Sequence, residues 1–233
     1  MKRRHTLTDF HPTNHPELSR KTAIHEAGHA AAIYLGNKQK QLPPVFFQIY
    51  ISGPNSDSQS SACLCKSYDS CNHYITKVEG GRLIHTLPSS IEKAISDFSL
   101  AQKQGYQLAF DADIFNLLVG PLAEAYYVAQ RDGELINPHL VNLNALHNYG
   151  GTSDLETIND YVECFIPDKT QREKKLTELY LAAFNFIIDR SNWRAIMALA
   201  DYILANSKNV LECEEIIAVL DAHYFVARKN AWC

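Results

Sequence analysis

The stretch IHEAGHAAAIYLG, residues 24–36, constrains the fold more than any other part of this sequence. Gly28 costs about 1 kcal/mol relative to alanine inside a helix, and three alanines follow it at 30–32. Small residues of this kind let a helix lie close to the backbone of its neighbours. Four residues at helical spacing predict a buried stripe along it: Ile24, Gly28, Ala31 and Leu35. We therefore expect a core helix that begins at residues 14–17 and ends at Gly36-Asn37.

The same stretch carries a His-Glu-x-x-His motif. On a helix, residues four apart project from one side, so His25 and His29 can direct their imidazole nitrogens at one ion. Glu26 is rotated about a third of a turn from His25 and would lie beside such an ion without binding it. There its carboxylate can take a proton from a water that the ion activates, as in zinc peptidases. The alternative is a solvated polar turn without a metal.

A catalytic zinc usually has three protein ligands and one water, so a third ligand must come from elsewhere in the chain. The metzincin continuation would place a histidine at position 35, which is leucine. The inverted His-x-x-Glu-His order is also absent from the sequence. The motif by itself therefore leaves the class of zinc site open.

The rest of the chain predicts a mainly α-helical fold with a small β-sheet in the first third. Residues 45–51 are β-branched and aromatic and predict a strand. The polar stretch 52–72 predicts a loop insertion, and strand-like segments on both sides of Gly80-Gly81 predict a hairpin. Ser153 and Glu156 have the spacing of a capping box at a helix start. Later helices are predicted at 89–104, 113–130, 153–165, 169–190, 192–206 and 212–228.

Length and composition favour a single globular domain over residues 1–233. The net charge of −4 gives no global field that would attract nucleic acid or an anionic membrane. No run approaches the roughly 18 apolar residues of a membrane span, and no apolar block follows the basic start MKRR. Without a secretory signal, the six cysteines are expected to be reduced thiols of a cytoplasmic protein.

Three segments, in the same order along the chain, resemble the peptidase domain of FtsH-type zinc metalloproteases, the proteolytic half of membrane AAA proteases. TAIHEAGHAAA (22–32) is similar to the family's active-site helix. NLLVGPLAEAYYVA (116–129) is similar to its Leu-x-Gly-x-x-Ala-Glu helix, and GGTSDLETI (150–158) to its Gly-x-x-x-Asp-Leu segment. The resemblance implies an FtsH-peptidase-like fold, Zn²⁺ as the cofactor, and hydrolysis of peptide bonds in peptides or unfolded proteins.

The resemblance also implies that Asp154 is the third zinc ligand, beside His25 and His29, and that Glu26 is the catalytic base. In the first turn of a helix, backbone donors and the helix dipole keep a carboxylate ionised, which suits a zinc ligand. The alternative for Asp154 is a plain helix-capping residue. On the family pattern Glu124 orients a ligand histidine, whereas in a glutamate-type zinc site Glu124 would itself be the ligand.

The sequence departs from the family at several points. It contains no Gly-x-x-x-x-Gly-Lys-Ser/Thr loop for ATP and no transmembrane anchor, so a separate AAA ATPase is the candidate partner. A homo-oligomer is left open. Pro121 falls inside the middle helix and is expected to kink or restart it. The alternative function is a catalytically inactive metal-binding module of the same fold, which would recruit a substrate or an ATPase.

Two further groups could carry chemistry. A soft-ligand cluster with the spacing Cys-x-Cys-x5-Cys-x-His could hold a structural zinc, although no standard zinc finger has this spacing; it consists of Cys63, Cys65, Cys71 and His73. Free loop cysteines are the alternative. His147 and Tyr149 precede Asp154 and could donate a hydrogen bond to the oxyanion of a peptidase reaction. An edge strand at 45–51 or 73–87 could bind an extended peptide by strand addition.

Overall fold

The computed structural model describes residues 15–52, 75–88, 91–138 and 141–229. This part of the chain is mainly helical and contains a small three-stranded antiparallel sheet, which confirms the expected class. The helices are α1 (His15–Ala31), α2 (Asn37–Gln39), α3 (Ile91–Ala94), α4 (Leu100–Arg131), α5 (Thr152–Phe165), α6 (Lys169–Ile188), α7 (Arg190–Ala205) and α8 (Cys213–Lys229). The strands are β1 (Phe47–Ser52), β2 (Ile75–Gly80) and β3 (Val210–Leu211). A π turn (Ala32–Gly36) joins α1 to α2, and a 3-10 helix (Leu143–Tyr149) precedes α5.

Helix α1 lies at the centre of the fold and packs against α4, α7 and β2. Its apolar residues are buried on more than the one stripe that the spacing predicts, since Ala23, Ile24 and Ala27 are all fully covered. Gly28 lies where α1 meets α4: a Cβ added there would stand 2.9 Å from the Ala123 Cβ and 3.0 Å from the Val119 carbonyl oxygen. The close helix approach that Gly28 predicts is therefore confirmed.

The sheet differs from the predicted hairpin. The strand order is β2-β1-β3, and β2 pairs with β1 from Phe47 opposite Gly80 to Ser52 opposite Ile75. Residues 82–88 form no strand; the N–H groups of Leu83 and Ile84 donate to the Asp113 carboxylate on α4 and do not pair with β2. The hairpin across Gly80-Gly81 is therefore wrong. Strand β3, which pairs with β1 through Leu211 opposite Ile49, is too short to be recognised from the sequence.

Helix α4 is one continuous helix of 32 residues, where two separate segments were predicted. It begins with a capping box in which Ser99 and Gln102 exchange hydrogen bonds. The helix does not restart at Pro121, because it continues through this residue. Pro121 lies against Gly151, where an added Cβ would be 2.8 Å from the proline ring. Packing on neighbouring elements outweighs the loss of one hydrogen bond at Pro121.

Helix α5 begins at Thr152, directly after Gly151, and no side chain caps it. The capping box predicted from Ser153 is therefore wrong, and Ser153 lies inside the first turn together with Asp154. Helices α6 to α8 agree with their predicted ranges to within a few residues. Among the described residues, no helix is both long and apolar enough to cross a membrane.

Candidate metal centre

Donor atoms of three residues converge where α1 faces the start of α5. The Nε2 atoms of His25 and His29 are 3.0 Å apart. The two Asp154 oxygens lie 3.3 Å from Nε2 of His25 and 3.5 Å from Nε2 of His29. Both histidines are buried. The chain thus brings a carboxylate from position 154 onto the His-Glu-x-x-His motif, and this group could hold a metal ion.

The back of each imidazole ring is held by a hydrogen-bond acceptor on α4. Nδ1 of His29 lies 2.8 Å from the carbonyl oxygen of Asn116 and donates to it. Nδ1 of His25 lies 3.5 Å from Oε2 of Glu124. A proton on each Nδ1 leaves the Nε2 lone pair of each imidazole available to a metal ion. Glu124 therefore contacts His25 from behind, as the family resemblance implies, and does not belong to the three converging donors.

The charges of the site favour a cation between the imidazoles and the carboxylate. Burial opposes the charged form of His25, but hydrogen bonds to Asp154 and Glu124 outweigh it and raise the pKa of His25 to about 10. Burial also opposes ionisation of Asp154, yet the charges and hydrogen bonds of the two imidazoles hold its pKa below the usual range. A divalent ion could supply the positive charge in place of the proton.

The donor set matches zinc in chemistry and in spacing. Two imidazole nitrogens and one carboxylate oxygen form a common ligand set of catalytic zinc. Tetrahedral ligands at about 2.0–2.1 Å from zinc stand roughly 3.3 Å from one another. The separations of 3.0, 3.3 and 3.5 Å between the donor atoms bracket that value. The residues present therefore fit a zinc ion.

Two glycines leave room for the imidazole rings. A Cβ added at Gly120 would lie 2.3 Å from Nε2 of His29, so any side chain there would displace the ring. Gly150 has a φ of +69° and ends the 3-10 helix before α5; a Cβ there would lie 3.2 Å from Nδ1 of His25. The sequence therefore needs glycine at both positions for steric reasons.

Glu26 lies beside the three donors and lines the same cleft. Its Oε2 accepts a hydrogen bond of 2.7 Å from the backbone N–H of Val78 in β2. The Val78 amide points away from β1, because β2 is an edge strand of the described sheet. One carboxylate oxygen of Glu26 is thus fixed by the sheet, and the side chain is only partly buried.

The cleft has a volume of about 370 Å³. Residues from α1, β2, α4 and α5 form its walls. Several of these residues were not predicted as site residues from the sequence: Lys77, Val78, Gly81, Arg82, Asp113, Asn116, Leu117 and Thr157. Contacts between distant segments, among them the pairing of β2 with β1 beside α1, identify them as cleft residues.

Two other predicted site residues lie near this cleft in sequence but do not line it. They are His147 and Tyr149, which lie in the 3-10 helix before Gly150. The cysteine cluster lies outside the described residues: Cys63, Cys65, Cys71 and His73. The two cysteines that the structure does describe, Cys164 and Cys213, are free thiols. Comparison of the chain with protein-family models, curated proteins and solved structures finds no match.

Proposed function

We propose that this chain is a zinc-dependent peptidase in which His25, His29 and Asp154 hold the ion and Glu26 is the catalytic base. The observation that carries the proposal is the position of Asp154. Its oxygens lie 3.3 and 3.5 Å from the two Nε2 atoms of a motif more than a hundred residues earlier in the chain. A solvated polar turn would not need a partly buried carboxylate opposite both histidines.

The arrangement supports hydrolysis as follows. A zinc ion held by His25, His29 and Asp154 would supply Lewis acidity and would lower the pKa of a water molecule toward neutrality. The Glu26 carboxylate accepts a proton from the attacking water and later delivers it to the leaving amine. The Val78 N–H holds Oε2 of Glu26 at 2.7 Å, which orients the other oxygen for this transfer. Glu124 and the Asn116 carbonyl keep both imidazoles in the tautomer that a ligand requires.

The resemblance to FtsH-type peptidases supports this function through three motifs, and their residues are neighbours in the fold. Gly28 of the first motif contacts Ala123 of the second, and Gly151 of the third contacts Pro121 of the second. We extend the proposal to a cytoplasmic enzyme that works on peptides or on unfolded protein. A separate AAA ATPase that delivers the unfolded protein is the proposed partner.

The test is hydrolysis of fluorogenic peptides and of casein by the purified chain loaded with Zn²⁺. We expect turnover that a chelator abolishes and that added Zn²⁺ restores. Glu26→Gln should lower kcat by about 10²–10⁴-fold with zinc still bound. The matched control is Glu156→Gln, an exposed glutamate on α5, which should retain activity. Bound zinc with no turnover in the wild-type chain would contradict the peptidase and favour the inactive metal-binding module.

A further inference from the structure

The cleft extends beyond the metal centre to a second region, which we call the distal subsite, formed by Ile33, Gly81, Arg82, Asp113, Asn116 and Leu117. Segment 81–84 covers this part of α4, because the N–H groups of Leu83 and Ile84 donate to Asp113 at 2.8 and 2.9 Å. Asp113 precedes Gly120, the neighbour of His29, by seven residues, which is about 10 Å along a helix. The Asp113 end of the distal subsite is therefore about two helical turns from Gly120, whereas its Asn116 end contacts His29 through the backbone carbonyl.

Asn116 places an unpaired amide in this region. The residue is 5% exposed, and neither Oδ1 nor Nδ2 has a hydrogen-bond partner. Its backbone carbonyl is already used, since it accepts from His29. Buried side-chain amides are nearly always paired, so an unpaired one beside a cleft indicates a ligand that completes its hydrogen bonds. Nδ2 can donate to an oxygen, and Oδ1 can accept from an N–H group.

Arg82 adds a positive charge at the same place. Its side chain is exposed and lines the cleft, and it acts electrostatically on Asp113 and Tyr161. No carboxylate oxygen of the described residues lies within 4.0 Å of its guanidinium nitrogens. The Asp113 oxygens are occupied by Leu83, Ile84 and the Tyr161 hydroxyl. Arg82 is therefore available to pair with an anion that enters the cleft.

The other charged side chains of the cleft have partners within the chain. Glu26 accepts from the Val78 amide, and Asp154 faces the two imidazoles. Lys77 lies 3.7 Å from Glu79 of the same strand. The guanidinium of Arg82, which also interacts with Asp113 and Tyr161, and the amide of Asn116 thus offer further hydrogen-bond donors beside the cleft.

We infer that the distal subsite binds a carboxylate of the peptide substrate, with Arg82 pairing with its charge and the buried Asn116 side chain rotating toward the cleft so that Nδ2 donates to one of its oxygens. The inference rests on the proposed peptidase function and names its substrate class. The apolar side chains of Ile33 and Leu117 contact the carbon stem that bears the carboxylate. Two sources supply this chemistry: an acidic side chain within the peptide, or the free carboxylate at its C-terminus.

The test measures binding of labelled peptides to the Zn²⁺-loaded Glu26→Gln chain by fluorescence anisotropy, so that no peptide is cleaved. One arm compares peptides in which a single glutamate or glutamine is moved along an otherwise neutral sequence. The other arm compares a free with an amidated C-terminus. We expect one carboxylate form to bind about 10–100-fold more tightly than its neutral counterpart, as for hydrogen bonds to a charged group. The arm that shows this preference identifies the source of the carboxylate.

Variants then assign the preference to the distal subsite. Arg82→Ala should reduce the ratio of the two Kd values to near one, and Arg82→Glu should favour a lysine peptide over a glutamate peptide. The matched control is Arg194→Ala, an exposed arginine on α7 that does not line the cleft, which should keep the wild-type ratio. Asn116→Leu should weaken binding of the carboxylate peptide and raise Tm, since it removes two unpaired buried polar atoms. A purely structural Asn116 would instead give a lower Tm.

Equal Kd values for all charged and neutral pairs, or an unchanged ratio in Arg82→Ala, would overturn the inference. The binding assay does not depend on turnover. If the carboxylate preference is present but the wild-type chain hydrolyses no peptide, the peptidase proposal fails while the binding subsite stands. If neutral peptides are hydrolysed and no carboxylate preference is found, the subsite fails and the peptidase stands.

Discussion

Substitution of Gly120 by alanine tests the geometry of the metal centre without removing any ligand. The added Cβ would lie 2.3 Å from Nε2 of His29, against roughly 3.5 Å for an ordinary carbon contact. Helix α4 cannot retreat toward solvent without opening the Gly28 contact with α1, so the ring has to move by about 1 Å. Changes that reorient a ligand histidine reduce metal affinity by about 10–100-fold, equal to about 1.4–2.8 kcal/mol.

The assay is a competition titration of Zn²⁺ against a chromophoric chelator, with circular dichroism to show that each variant is folded. The control is Gly105→Ala on the same helix, where an added Cβ meets no atom within 4 Å. That change should leave the zinc Kd unaltered and stabilise the exposed helix by about 1 kcal/mol. A Gly120→Ala chain with wild-type zinc affinity would show that His29 does not bind the ion in the position described above.

Two further predictions concern stability. Removal of zinc with EDTA should lower Tm by roughly 5–10 °C, because an ion at 100 times its Kd stabilises the folded state by about 2.7 kcal/mol; an unchanged Tm would contradict a metal centre. The second concerns Asp113, whose pKa is raised by burial despite the hydrogen bonds that lower it. The folded chain then holds this proton at a pH where the unfolded chain has lost it. The protonated carboxyl therefore stabilises the protein at low pH, and this stabilisation is lost as the pH rises through the pKa of the folded state. The measurement is urea unfolding of the wild type and of Asp113→Asn from pH 4 upward. The difference between their free energies of unfolding, wild type minus variant, should fall with rising pH by at most about 1.4 kcal/mol per pH unit. A rise in this difference would contradict the sign.

The helical part of the fold could be predicted because its signals are local. The apolar spacing of Leu176, Leu179, Ala183 and Ile187 predicts a buried face; the last three are buried, and Leu176 is partly buried. Gly28 predicts a close helix contact, since a glycine inside a helix reduces stability unless a neighbour needs the space. The convergence of His25, His29 and Asp154 followed from one local motif and from a resemblance that supplied the distant carboxylate. Their role as metal ligands stays a prediction.

The parts that could not be predicted depend on contacts between distant segments. Gly80-Gly81 has the composition of a hairpin turn, but the partner of β2 is β1, which lies before residues 53–74. Pro121 usually interrupts a helix, yet its contact with Gly151 is on another element and is invisible in the local sequence. Nothing in the local sequence distinguishes Asn116 and Arg82 from other polar residues. The fold shows that the Asn116 amide is buried without a hydrogen-bond partner and that Arg82 lines the cleft.

The distance along the chain between α1 and α5 has a consequence for the order in which the protein is made. Synthesis proceeds from the N-terminus, and early segments begin to fold before late ones exist. A nascent chain that has reached only α4 contains both imidazoles but lacks the aspartate that faces them in the complete fold. The three donor residues therefore cannot come together on the ribosome until translation has passed the start of α5, so an unfinished copy lacks the complete candidate metal centre.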